Sequence, residues 1–309
     1  MIKTPRKMPG NIGCALLLVA VVGLPVAAQE PAYTNSIGMQ FVLIHTGTMQ
    51  VGVFQPGCPA PVDPAAANAR AQATRPDRRP PDPRIAWTEA DYAKCHELAE
   101  REASPGFEVK IAKPYYIGQY EVTQEQWKKV MGENPSVFQG TKVTDDGDRH
   151  PVDSVTWDEA QHFIRQLNKL ERTNAYRLPT EFEWEYAGRA DGSGQVAWSE
   201  IRQMAVQGIG FGGRGATPTP PPGTQMVGSK KPNAWGLSDM LGNVWEWVQD
   251  YYNEKLFPDP TPPKTGRQHV LKGCGFASDV KNCIYATHGA GPADGWDVGF
   301  RIVRDVSAK

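Results

Sequence analysis

Residues 36–53, SIGMQFVLIHTGTMQVGV, alternate between apolar and polar positions, with Gly38, Gly47 and Gly52 as punctuation. Period-two alternation between turn formers predicts one or two strands. Residues 109–122, VKIAKPYYIGQYEV, read as strand material too. The period then lengthens. Capping boxes stand at Thr123–Gln126, Thr156–Glu159 and Thr180–Glu183. In each, the Thr oxygen can accept from the third helical N–H while the Gln or Glu reaches back. The first box opens a helix with Trp127, Val130 and Met131 as its stripe and Gly132 as its stop. The second opens a longer helix with Trp157, Ala160, Phe163, Ile164, Leu167 and Leu170 on one face, the spacing of a core face. The third opens a short helix that ends near Gly188. The last hundred residues are short strands and glycine-rich turns. This is an α+β pattern with much irregular backbone.

Two stretches stand apart. Lys3, Arg6 and Lys7 precede the apolar run 14–23, and Val26-Ala27-Ala28 supplies small residues for a peptidase. That is the pattern of a secretory signal peptide over 1–28, cut after Ala28. The run is shorter than the roughly 20 residues of a membrane span. The second stretch, 54–108, is an insertion in the domain 29–309. Its first part, 54–86, is rich in proline and carries Arg70, Arg75, Arg78, Arg79 and Arg84. Such a charge run reads as a solvated surface loop. Residues from Trp87 onward, WTEADYAKCHELAERE, read as a short amphipathic helix.

Cleavage changes two counts. Three cations and no acid leave, so the formal charge goes from −1 to −4. A mildly acidic chain argues against nucleic acid as a partner. Cys58, Cys95, Cys274 and Cys283 remain, an even number suited to disulfides in a periplasmic or secreted setting. Four cysteines allow three pairings. Cys58–Cys95 and Cys274–Cys283 are favoured because each closes a local loop. No further membrane span is expected.

In Val244-Trp245-Glu246-Trp247-Val248 the two tryptophans share a strand face. Glu246 lies on the other face among valines, and a carboxylate there needs a partner. The six histidines show no metal-ligand spacing. His162 falls on the polar side of its helix. His288, with Asp294, Trp296 and Asp297, suits either a polar, aromatic lip on a cleft or a structural loop.

Five motifs in order resemble the formylglycine-generating-enzyme, or sulfatase-modifying factor, family. They are YIGQYEVTQEQW at 116–127, PVDSVTW at 151–157, RLPTEFEWE at 177–185, NAWGL at 233–237 with LGNVWEW at 241–247, and Gly299-Phe300-Arg301. The resemblance implies a C-type-lectin-like fold. It implies one calcium ion, with Asp239 and Glu246 as side-chain ligands and Gly242 and Val244 as carbonyl ligands. Otherwise Glu246 caps backbone N–H groups or pairs with an arginine. No second calcium site is expected, because Gly208–Gly223 lacks clear acidic ligands.

The family's oxidase uses two cysteines to hold Cu(I) and converts a peptide cysteine to formylglycine. Carried over by position, that pair falls on Ser278 and Cys283, and Gly275 stands where the family has a nearby serine. A serine hydroxyl is a poor ligand for a soft ion, so copper is not expected. The expectation is an exported, non-copper binding, regulatory or maturation factor with a protein or peptide partner. The alternative is the formylglycine-generating oxidase itself.

Overall fold

A computed structural model of the chain describes residues 33–51, 106–190, 192, 201, 203–206, 223–253, 261–278, 283–290 and 295–306. The signal segment, Cys58, Cys95, most of the insertion, and Asp294 lie outside the described residues.

The alternating stretch 36–53 forms two strands, β2 (Gln40–Ile44) and β3 (Gly47–Val51), after a short β1 (Tyr33–Thr34). The stretch 109–122 also divides, into β4 (Phe107–Ile111) and β5 (Tyr115–Gly118). β3 and β4 pair antiparallel, with Val51 opposite Phe107. The insertion therefore leaves and re-enters at adjacent ends of one two-stranded ribbon. Phe107 and Glu108 already belong to the returning strand.

All three capping boxes are formed. Thr123 caps α1 (Gln124–Met131), Thr156 caps α2 (Trp157–Leu170) and Thr180 caps α3 (Glu181–Arg189). In the third, the Glu183 N–H donates to Thr180 Oγ1 at 3.2 Å, and the Thr180 N–H donates to Glu183 at 2.8 Å. Each such cap contributes about 1 kcal/mol. On α2, Ala160, Phe163, Ile164 and Leu167 are buried, but Leu170 at the last turn is 54% exposed. The third helix ends, as expected, near Gly188. Its last residue is Arg189, and Ala190 takes the left-handed cap at φ 49°. Gly188 is needed for packing: a Cβ there would meet Tyr285 Cδ1 at 2.8 Å.

After α2 comes β6 (Tyr176–Arg177). After α3 come β7 (Trp245–Tyr251), β8 (His269–Gly273), β9 (Gly289–Ala290), β10 (Val298–Gly299) and β11 (Val303–Asp305). One sheet has the order β1-β2-β5-β11-β6, all antiparallel. The C-terminal strand thus lies between β5 and β6 and brings Arg301 beside the early motifs. The second sheet has the order β10-β7-β8-β9, with β10 parallel to β7.

Two apolar clusters hold these layers. In one, Trp127 stacks on Phe163 at 5.4 Å, and Phe300 meets the Phe163 ring edge-on at 5.5 Å. The other gathers Trp184, Tyr115, Val248 and Tyr285 beneath β3 and β4. Among the described residues no helix is long and apolar enough to cross a membrane.

Candidate functional site

The family motifs converge on two buried ion networks. The first surrounds Arg301, which is fully buried. Its Nε and Nη2 donate to the two oxygens of Glu246 at 2.6 Å each. Nη1 donates to the Gly118 carbonyl at 3.2 Å, and Nη2 also donates to the Ser238 carbonyl at 3.0 Å. Burial works against its charge, but Glu246, Glu121 and Asp239 outweigh that and raise its pKa. Trp184 Nε1 donates to Glu246 at 2.6 Å as well. Glu246 therefore pairs with an arginine, as the apolar setting of its strand face requires.

Glu121 and Asp239 complete this network. Glu121 accepts from Asn243 Nδ2 at 2.7 Å and from the Val244 N–H at 3.2 Å. Burial, then the charges of Asp239 and Glu246, push its pKa well above the usual carboxylate range. Asp239 Oδ2 accepts from the Gly228 N–H at 2.6 Å, while its Oδ1 is buried with no hydrogen-bond partner. Burial raises Asp239 to about 6, with Glu246 adding to the rise and Gly228 and Arg301 opposing it. Three carboxylates thus face one guanidinium.

The open Asp239 oxygen, among carboxyls that burial and mutual repulsion hold toward their neutral forms, fits a hard, oxygen-seeking cation. Glu246 in its present bonding does not, because Arg301 and Trp184 already engage both of its oxygens. Among the described residues no three His, Cys, Asp or Glu side chains are arranged to hold a metal ion.

The second network lies across Trp184, over whose ring Lys272 Nζ sits at 5.7 Å. Lys272 is fully buried. It donates to Glu185 at 3.0 Å and reaches Glu181 at 3.5 Å. Arg189 pairs with Glu185 and also donates to the Gln50 carbonyl at 2.6 Å. His288 places Nδ1 2.6 Å from Glu181 and Nε2 2.8 Å from the Asn253 carbonyl. Burial works to raise the Glu181 pKa, but His288 and Lys272 prevail and lower it. Asp250 accepts from the Glu181 N–H at 2.6 Å. Burial and the charges of Glu181 and Glu183 hold its pKa at about 6.

Next to these networks lies the turn that carries the positions expected for copper chemistry. Cys274 and Cys283 are both buried and joined by a disulfide, with Cα atoms 5.1 Å apart. Cys274 Sγ also accepts from the Gly242 N–H at 3.0 Å. Ser278 is half-buried, and its Oγ accepts from the Gly275 N–H at 3.1 Å. The Ser278 N–H donates back to the Gly275 carbonyl at 3.0 Å. The hydroxyl closes a tight turn, and the sulfur of Cys283 is bonded to another sulfur.

His162 is exposed and lies within hydrogen-bond reach of Gln166. His288 is not on the lip: it points inward, stacked on Tyr252 at 4.8 Å. Trp296 and Asp297 do lie beside the turn. Glu121, Glu181, Glu185 and Lys272 were in view in the sequence but had no assigned role. Glu181 and Glu185, one helical turn apart, and Lys272 in an apolar strand were the available signals.

Short capped helices on small curled sheets, with buried ion networks binding distant segments, define an α+β protein of the C-type-lectin-like class. The chain belongs to the sulfatase-modifying factor enzyme 1-like domain family, whose profile matches residues 38–306. It is 32% identical to the chaperone protein LppX of Paenibacillus barcinonensis, over 62% of this chain and 80% of that protein. It is also 32% identical to the formylglycine-generating enzyme of Streptomyces coelicolor, over 51% of this chain and 53% of that enzyme. The chain thus spans about half the length of that enzyme. Among solved structures, Treponema denticola variable protein 1 matches with a TM-score of 0.62 at 23% identity, over 89% of this chain and 98% of that one. PvdO from Pseudomonas aeruginosa matches at 0.61 and 20% identity, over 90% and 100%. Both share the fold.

Proposed function

We propose that this chain is an exported family member that binds a protein or peptide partner, as a regulatory or maturation factor, without copper oxidase chemistry. The disulfide between Cys274 and Cys283 carries this reading. A Cu(I) centre of the family's kind needs two free thiolates, and here one position is a hydroxyl and the other is bonded to sulfur. The basic and apolar segments of residues 1–28 support export, and a disulfide suits an oxidising compartment. The likeness to a protein called a chaperone over most of its length supports a maturation role. Calcium belongs to the proposal as an ion held by Asp239, with Gly242 and Val244 carbonyls as further oxygen donors. Glu246 would join only by sharing an oxygen with Arg301 or Trp184. Its role would be to offset the local charge and brace the fold.

The oxidase reading draws on the 32% identity to a formylglycine-generating enzyme. The two readings separate on a Cu(I) titration of reduced, exported protein, followed by oxygen uptake with a cysteine peptide. The binding reading predicts no stoichiometric copper and no oxygen uptake. One tightly held equivalent, with oxidation of the peptide thiol, would replace it with the oxidase.

A further inference from the structure

A cavity of about 400 Å³ lies at the C-terminal end of α2. Arg165, Lys169 and Arg172 line it, together with Asn168, Thr173 and Asn174. None of these residues belongs to the two ion networks or to the family motifs. The lining carries three cations and no acid, and its volume is that of a pocket for a small organic ligand.

The cations sit where charge or backbone works against them. Arg165 and Lys169 stand four residues apart on the helix, so their like charges repel across one turn. The helix dipole favours a cation in the last turn, which accounts for Lys169, but its reach does not extend back to Arg165. Arg172 follows just past the helix end with φ at 53°, in the left-handed region that glycine usually fills at such a place.

No acid relieves them. Among the described residues no carboxylate forms an ion pair with Arg165, Lys169 or Arg172. Glu171, the acid next to Arg172, is engaged elsewhere. Its Oε1 accepts from the Ser36 N–H at 2.8 Å and from Ser36 Oγ at 2.7 Å, and its Oε2 accepts from the Tyr176 hydroxyl at 2.5 Å. The wall behind the cations is fixed. Asn168 accepts from the Tyr176 N–H at 3.0 Å and donates to the Tyr176 carbonyl at 2.9 Å. The Thr173 N–H donates to the Asn168 carbonyl at 2.9 Å, which folds the turn back on the helix. Thr173 Oγ1 accepts from the Ala175 N–H at 3.2 Å, which leaves its hydroxyl proton to donate.

We infer that this cavity binds a phosphomonoester, with Arg165, Lys169 and Arg172 as its charge partners. Such a group brings a charge of about −1.5 to −2 and three strong acceptor oxygens. A carboxylate brings one charge and two oxygens, too few for three cations. The guanidinium forks match phosphate oxygens in pairs. The rest of the volume takes the carrier, a soluble polyol or a lipid headgroup. The inference goes beyond the function proposed above and stands apart from the chemistry of the Cys274–Cys283 turn.

The test is isothermal titration of the full exported chain with glycerol phosphate, glycerate and glycerol, together with flotation on phosphatidylcholine vesicles that contain or lack phosphatidic acid. The phosphate ester should bind saturably, glycerate about tenfold more weakly, and glycerol and plain vesicles not at all. K169Q and R172G should each weaken binding about tenfold. Both variants should keep or raise the Tm, because one relieves like-charge repulsion and the other suits the left-handed backbone. Binding of soluble glycerol phosphate, with or without the vesicles, assigns a soluble ligand. Binding of the phosphatidic acid vesicles alone, lost in the same variants, assigns a lipid headgroup. Equal binding of glycerate would overturn the phosphate, and affinity untouched by both variants would overturn this cavity as the site. A lowered Tm in both variants would make the cations structural and overturn the inference, as would binding of neither phosphate probe.

Discussion

The buried ion networks and the Cys274–Ser278 turn sit on neighbouring parts of β7 and β8, yet they treat polarity in opposite ways. Inside, Arg301 and Lys272 have no solvent exposure, and each meets a carboxylate within 3.0 Å. At the turn, Asp297 has no cationic partner among the described residues, and Trp296 is 47% exposed. Sealed charge of the first kind locks distant segments together: Glu121, Glu246 and Arg301 come from three separate motifs, and Asp239 lies between NAWGL and LGNVWEW. Groups of the second kind are only partly closed off from solvent. A density of charged residues around family motifs is therefore poor evidence of catalysis, and half-open groups carry more information.

The two sealed networks also differ from each other. Around Lys272, Glu181 meets Lys272 and His288 Nδ1, Glu185 meets Lys272 and Arg189, and Asp250 accepts from the Glu181 N–H. Around Arg301, three carboxylates meet one cation. The largest expected effect is therefore R301L. It strands buried carboxylates and should cost about 3–5 kcal/mol in urea unfolding. K272M should cost less, about 1–3 kcal/mol, because Glu185 keeps Arg189 and Glu181 keeps His288. An equal or larger loss in K272M would break the contrast between the networks.

Second in size is the C274S/C283S variant, which should lose about 2–3 kcal/mol, the chain-entropy value for so short a loop. Wild-type protein unfolded in reductant should match it. Next, calcium should raise the Tm of the wild type by mass action, and D239N should abolish the rise while E181Q keeps it. A rise of the same size in D239N would remove calcium from the Arg301 network.

The smallest effect is on pH dependence. Asp239 and Asp250 hold their protons up to about pH 6, whereas an unfolded aspartate titrates near 3.9. Between those values the native chain binds more protons than the unfolded one, so stability falls as pH rises. Their contribution is complete below about pH 4 and lost on passing pH 6. D250N should flatten part of that slope, measured as Tm from pH 4 to 7. A slope that D250N leaves untouched would place the titration elsewhere.

Much of the local structure was legible in the sequence because its causes are local. The three threonine boxes name their helices through hydrogen bonds three residues apart. The stripe Ala160–Phe163–Ile164–Leu167 faces the core as its spacing demands. Short loop closure pointed to Cys274–Cys283. Less legible was whatever depended on distant packing. The helix end near Gly188 was legible, but the close approach of Tyr285 that requires a glycine there was not. Leu170 matched the stripe, but at the helix end it is 54% exposed. His288 suited a lip or a structural loop, and only the fold places Glu181 and Asn253 against it. Glu246 had three possible partners on paper, calcium, backbone N–H groups or an arginine, and the arginine was visible only once β10 lay beside β7.

Thiol counting bears most directly on the claim that this domain binds without thiol chemistry. Protein exported to the periplasm is alkylated under denaturing conditions, before and after reduction, then digested and weighed. The account predicts a linked Cys274–Cys283 peptide and no label on Cys283 until reductant is added. Label on Cys283 in the unreduced protein, together with one bound cuprous ion, would contradict it.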